Sequence, residues 1–283
     1  MRRLPDPMSR LVVDDDAADR LGGAVPSPAV AFLLAVIALP PLFWLVMLKR
    51  TTVYTAPEEW LMANVVPQIH GWVQANLPLI EWIIVAVSAL GSGWFVALAF
   101  SLLGLLALSR GRRDLALLMA LGMLCFPIEW ALKYFTSAEV ISLGDLVSAI
   151  FNVNDIGLDD IADFPAGHAL RATVLYGLVA FSIARLSADA RQGRLAYIAA
   201  AVIIVAISST RIYLGAHYPM DVLGGWMAGG ALLSILVAVH VLRVDERARA
   251  REAAEAARSR TARRVAVPLH RPDRAAPAEP HEG

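Results

Sequence analysis

The sequence predicts an all-α polytopic membrane bundle of six transmembrane helices with both termini in the cytoplasm. Three observations lead there. Of the 283 residues, 58% are hydrophobic and 18% charged, with a mean hydropathy of +0.58, against about 45–50% apolar and about 25% charged in a soluble domain. The apolar residues gather into runs near the ~20 residues that a helix needs to cross a bilayer. The basic residues then fall mostly on one side of those runs. An ordinary cytosolic enzyme is excluded, and so is a disordered chain, which would lack the side chains for a core.

Residues 1–28 are polar, punctuated by Pro and Gly, and carry Asp14, Asp15, Asp16 and Asp19. They are expected to form a flexible cytoplasmic tail, not a signal peptide. The membrane domain is expected over 29–242. Residues 29–48 are its first span, with Pro40 and Pro41 expected to kink it. Residues 57–80 mix Trp60, Trp72, Pro67 and Pro78 with polar side chains, which suits the membrane interface. Residues 82–108 are the second span, interrupted near its start by Gly91-Ser92-Gly93. Spans at 115–134, 170–186, 195–212 and 219–242 follow, without strand-like alternation or repeats. Residues 243–283 form a basic tail, helical to 264 and then disordered around Pro268, Pro272, Pro277 and Pro280.

Arginine and lysine orient the bundle. Segments 1–28, 109–114, 185–194 and 243–283 hold 20 of the 25 basic residues, so they are assigned to the inside. The outer segment 139–163 carries six acids and no Lys or Arg. Lys133, Arg171 and Arg211 sit at outer span ends, where an ionisable group needs a partner or a function. Snorkelling explains one such charge, not a cluster of Lys133, Arg171, Arg211, His168, His217 and Asp221 on one side.

Two stretches carry the chemistry. One runs Thr210-Arg211-Ile212-Tyr213-Leu214-Gly215-Ala216-His217-Tyr218-Pro219-Met220-Asp221, and the other is Phe164-Pro165-Ala166-Gly167-His168. Together they resemble the type-2 phosphatidic acid phosphatase superfamily, lipid phosphatases related in their core to vanadium haloperoxidases. The family motifs are K-x6-R-P, P-S-G-H and S-R-x5-H-x3-D. Arg211, His217 and Asp221 match the third at its spacing, with Thr210 in place of serine. Pro165, Gly167 and His168 match the second, with Ala166 in place of serine. Lys133 alone matches the first, because Val140 and Ile141 stand where Arg-Pro belongs.

The residue types fit phosphate-monoester hydrolysis, which needs a nucleophile, an acid for the leaving oxygen, and positive charge around three equatorial oxygens. His217 can attack phosphorus if its other ring nitrogen is held as a donor, and Asp221 is spaced to accept that bond. His168 is then the acid for the departing alkoxide. The resemblance implies the same roles, with a phosphohistidine on His217. Arg211 can grip two oxygens, and Lys133 acts as a point charge. Gly167 opens a helix whose N-terminus favours an anion. A Glu129–Lys133 pair at i, i+4 is the alternative use of the lysine. Arg171, one turn beyond His168 with no acid at 167, 168, 174 or 175, is expected to reach the phosphate. It would replace part of the missing arginine.

The expectation is a metal-independent phosphoric-ester hydrolase acting on a phosphorylated membrane lipid, without cofactor or nucleic-acid partner. Its site would face the periplasm from a bacterial inner membrane. A phosphotransferase is one alternative. A non-catalytic lipid-phosphate binder or transporter, favoured by Val140 and Ala166, is the other. Cys125 is expected to be a core residue, and His70, His240, His270 and His281 lack metal-ligand spacing. Asn152 to Gly157 is read as a solvated loop because Ile156 stands where a calcium ligand belongs. Gly225 and Gly229 are read as a close helix-packing pair.

Overall fold

A computed structural model describes residues 26–51, 55–136, 164–187 and 189–266. All regular structure among them is helical: α1 (Pro28–Thr51), α2 (Thr55–Asn64), α3 (Val66–Asn76), α4 (Pro78–Ala89), α5 (Gly93–Ser109), α6 (Arg113–Gly122), α7 (Cys125–Thr136), α8 (Gly167–Leu186), α9 (Ala190–Tyr213) and α10 (Pro219–Ala266). The acidic segment 139–163, with Val140, Ile141 and the Asn152 loop, lies outside the described residues. So do 1–25 and 267–283, which hold most of the expected N-terminal tail and the expected disordered end.

Five stretches are long and apolar enough to cross a membrane, and the bent pair α4–α5 makes a sixth. Their outward faces carry Phe32, Leu33, Phe43, Trp44, Leu102, Leu105, Ile198 and Val202, all exposed. So much uncovered apolar surface belongs in lipid, where helices satisfy their own backbone groups. The protein is an integral membrane protein.

Several local features follow from single residues. Helix α1 runs unbroken through Pro40 and Pro41. The third span is two helices rather than one, because Pro127 has no N–H for the carbonyl of Met123 and its ring crowds that group. Pro127 is tolerated in the first turn of α7. Helices α4 and α5 meet at 56° across the break that Gly91-Ser92-Gly93 suggested. Two carbonyls at that break accept from side-chain hydroxyls. Leu90 accepts from the Tyr176 hydroxyl at 3.2 Å, and Ala89 accepts from Ser92 Oγ at 2.6 Å.

Helix α8 is the most enclosed element. It packs along α9 and also touches α5, α6 and α7. On a further side it meets α10, where a Cβ at Gly225 would fall 2.6 Å from the Ala166 carbonyl and one at Gly229 2.7 Å from that of Leu170. Those two glycines let the backbones approach, as their spacing suggested. Cys125 is buried in the core cluster with Phe100, Leu118, Leu170, Val174, Leu178 and Phe181. The chain divides into two compact units, residues 1–241 and 242–283. Every contact described here lies in the first; the second is helical to Ala266.

Candidate active site

The residue spacing of the Arg211 stretch has a visible physical cause. Helix α9 ends in a Schellman turn: Gly215 N–H bonds to Ile212 C=O and Ala216 N–H to Arg211 C=O, both at 3.0 Å. Gly215 takes φ 74°, in the left-handed region that glycine enters without a Cβ penalty. The turn sends the chain back on itself, and His217 N–H also reaches the Arg211 carbonyl at 3.3 Å. Arg211 and His217 are thus joined through backbone.

Two residues later α10 begins at Pro219, with a fixed φ suited to a first helical position. Asp221 is fully buried, and its Oδ2 accepts from the Tyr218 N–H at 3.1 Å, in the manner of a capping box. A second carboxylate, Glu58 of α2, accepts from the Met220 N–H at 2.8 Å. The Asp221 carbonyl accepts from Ala166 N–H at 2.9 Å, tying this turn to the start of α8. The two sequence stretches are therefore one structural unit.

His168 lies in the first turn of α8, 3% exposed. It rests on the α4–α5 break: a Cβ at Gly91 would fall 3.1 Å from His168 Cδ2 and 2.6 Å from Ile207 Cγ2. Only glycine fits between that ring and α9. Arg211 donates to the buried Ser88 hydroxyl at 3.3 Å, also beside the break.

Arg171 has a partner that its own helix does not reveal. Its Nη1 donates to Glu129 Oε2 at 2.6 Å, its Nε to the Gly91 carbonyl at 3.2 Å, and its Nη2 lies 3.4 Å from His168 Nδ1. The guanidinium thus has one contact at each of its three nitrogens. Lys133 Nζ stands 3.5 Å from Glu129 Oε1, the i, i+4 pair anticipated as the alternative use of this lysine. Gly167 is required as well, since a Cβ there would overlap that carboxylate.

The C-terminal ends of α7 and α9 and the N-terminal ends of α8 and α10 thus meet at one end of the bundle. Arg211, Arg171, His217 and Lys133 all lie within electrostatic range of the His168 ring. Every residue singled out from the sequence, Lys133, Gly167, His168, Arg171, Arg211, His217 and Asp221, belongs to this neighbourhood. Among the described residues no cluster of His, Cys, Asp or Glu could hold a metal ion.

The sequence profile of the PAP2 superfamily matches residues 153–245, which hold the second and third motifs. Over those residues, about a third of its length, the chain is similar to the PAP2 superfamily. A relative from Bacillus subtilis (strain 168) named phosphatidylglycerophosphatase B is 40% identical over 75 residues. That stretch is 26% of this chain and spans 36% of the relative's length. A crystal structure of a transmembrane PAP2-type phosphatidylglycerolphosphate phosphatase from Bacillus subtilis matches with a TM-score of 0.51 and 20% identity. It covers 73% of this chain and 95% of its own, a likeness of fold.

Four residues beside the PAP2 motifs escaped the sequence reading. Glu129 appeared only as a neighbour for Lys133, although it is the one acid between 115 and 136, a signal in itself. Gly91 was read as a helix break, with nothing in sequence to join it to His168. Ser88 and Glu58 reach the site across 123 and 162 residues, and no local pattern announces such contacts.

Proposed function

We propose that this protein is a metal-independent membrane lipid phosphatase working through a phosphohistidine. The observation that carries the reading is that backbone bonds join His217 to Arg211 and tie Asp221 to the opening of α8, whose first turn holds the buried His168. Two histidines and two cations there supply the three things a phosphate monoester needs: nucleophile, acid and anion cradle. His217 attacks phosphorus as the bond to the lipid oxygen breaks, and His168 gives that oxygen its proton. Water then attacks the phosphohistidine, passing a proton back to His168 and releasing inorganic phosphate and free His217. Asp221 keeps the nucleophile's loop in register from the first turn of α10. Arg211, Lys133 and the helix opening at Gly167 hold the phosphate oxygens. Arg171, engaged with Glu129, acts on the phosphate chiefly through its charge and through His168.

The charge distribution supports an outward-facing site. With 20 of 25 basic residues in segments 1–28, 109–114, 185–194 and 243–283, both termini lie in the cytoplasm. The site then opens at the periplasmic face of a bacterial inner membrane. The substrate is a phosphate monoester or pyrophosphate on a membrane lipid.

The test is phosphate release by purified protein in detergent, over a panel of lipid phosphates, with EDTA present. Release that persists in EDTA and stops in His217→Ala is the expected result. Binding of a lipid phosphate without release would favour the non-catalytic reading, which Ala166 and Val140 support. Transfer to an added alcohol in preference to water would make the protein a phosphotransferase.

A further inference from the structure

The turn that carries His217 is also held from outside the two motif stretches, at two points. Four residues before His217, the Tyr213 hydroxyl donates to Glu81 Oε2 of α4 at 2.6 Å. His70 Nε2 of α3 lies 3.0 Å from the other oxygen of that carboxylate, and its ring meets the Tyr213 ring edge-on at 5.0 Å. Three residues after His217, the Met220 N–H donates to Glu58 Oε1 of α2 at 2.8 Å. That N–H belongs to the first turn of α10, where its own helix offers no carbonyl and a carboxylate is favoured.

Helices α2 and α3 turn a different face outward. Trp60 stands two residues after Glu58 and Trp72 two after His70, a rotation of about 200° around a helix. Trp60 is 62% exposed and Trp72 60%. Each helix therefore gives one side to the catalytic turn and an uncovered tryptophan on the other. The two helices link the spans α1 and α4–α5, whose neighbouring Trp44 and Trp82 are exposed as well. Tryptophan is enriched where lipid meets water, so this rim of four belongs in the headgroup layer.

We propose that the α2–α3 pair is a membrane-surface platform for the nucleophile. Trp60 and Trp72 seat it among the lipid headgroups. Glu58 directly, and His70 through Glu81 and Tyr213, hold the His217 turn against its inner side. Glu58, His70 and Glu81 are positioning residues, acting through where His217 stands. Seating the platform then sets the geometry of attack even on a substrate that is not a lipid. The inference rests on His217 being the nucleophile of a phosphatase.

The experiment uses full-length protein in phosphatidylcholine nanodiscs with p-nitrophenyl phosphate, a soluble substrate that needs no lipid contact. Glu58→Ala and the pair Trp60→Ser/Trp72→Ser should each lower kcat by about ten-fold with KM nearly unchanged, within what misplacing a reacting group costs. Glu58→Gln, which keeps an accepting oxygen, should recover most of the loss. Adding the tryptophan pair to Glu58→Ala should cost less than about three-fold more, because both act through one platform. Losses that multiply in full would overturn the proposal. So would a tryptophan variant impaired only in KM on phosphatidic acid, which would assign those residues to lipid capture. Should Glu58→Ala fail to fold, Tyr213→Phe, which removes one hydroxyl from the other contact, must lower kcat at constant KM. A nitroxide on Trp72→Cys should report headgroup depth, and a label in bulk water would refute the seating. An active wild type with indifferent variants ends the inference alone. A wild type that releases phosphate from no substrate ends the phosphatase reading, and the inference with it.

Discussion

The two halves of the site are built by different means. Arg211, His217 and Asp221 lie within one short stretch, and backbone bonds set their geometry. A Schellman turn at Gly215 and a cap at Tyr218 do the work. Lys133 and Glu129 come from α7, His168 and Arg171 from α8 and Gly91 from the α4–α5 break, and contacts made by side chains hold the three together. The local half keeps the PAP2 spacing, with Thr210 the one change. The distant half is where Val140 and Ala166 depart from the family pattern and where Glu129 and Arg171 enter. A backbone turn tolerates few sequences, whereas a brace of side chains can be replaced by another brace.

Substitutions in each half can break or sharpen that contrast. The largest effect is expected from His217→Ala, which removes the nucleophile and should bring phosphate release down to background for every substrate. Residual turnover well above background would mean that the local half does not contain the nucleophile. In the distant half, His168→Ala should cost about 10²–10⁴-fold in kcat on lipid phosphates, and far less on p-nitrophenyl phosphate. A loss equal on both would remove His168 from the acid role.

Arg171→Lys should fall nearly as far as Arg171→Ala, on the order of ten-fold or more, because one ammonium cannot reach Glu129, Gly91 and His168 together. A fully active lysine variant would show that charge alone suffices there. The smallest kinetic effect is expected from Gly215→Ala. An alanine at φ 74° costs roughly 1–2 kcal/mol, read as a drop in melting temperature. Gly167→Ala should show the opposite balance, with activity falling further than stability, since its Cβ meets the Glu129 carboxylate. Equal balances in the two glycine variants would erase the distinction between the halves.

The same contrast governs how much could be read from the sequence. Spans were legible because lipid demands long apolar runs, and 82–108 even showed its bend through Gly91-Ser92-Gly93. The Arg211 stretch was legible because a fixed turn imposes a fixed spacing. Arg171 reads in the sequence as a cation without an acid on its own helix. Its partner lies 42 residues earlier, on α7. The third span is legible as one apolar run, which the structure has at Arg113–Thr136, and Pro127 marks where its helix changes near Met123. Long-range contacts leave a mark in sequence only as an unexplained residue, such as one carboxylate in an apolar run.

The central claim is that the lipid phosphate passes through His217. Protein incubated with a ³²P-labelled lipid phosphate and quenched in alkali should retain label that acid removes, as a phosphohistidine does. Peptide mapping should place that label on His217. Wild-type protein that turns over the lipid while its label maps to another residue, or while His217→Ala still traps label normally, would contradict the account.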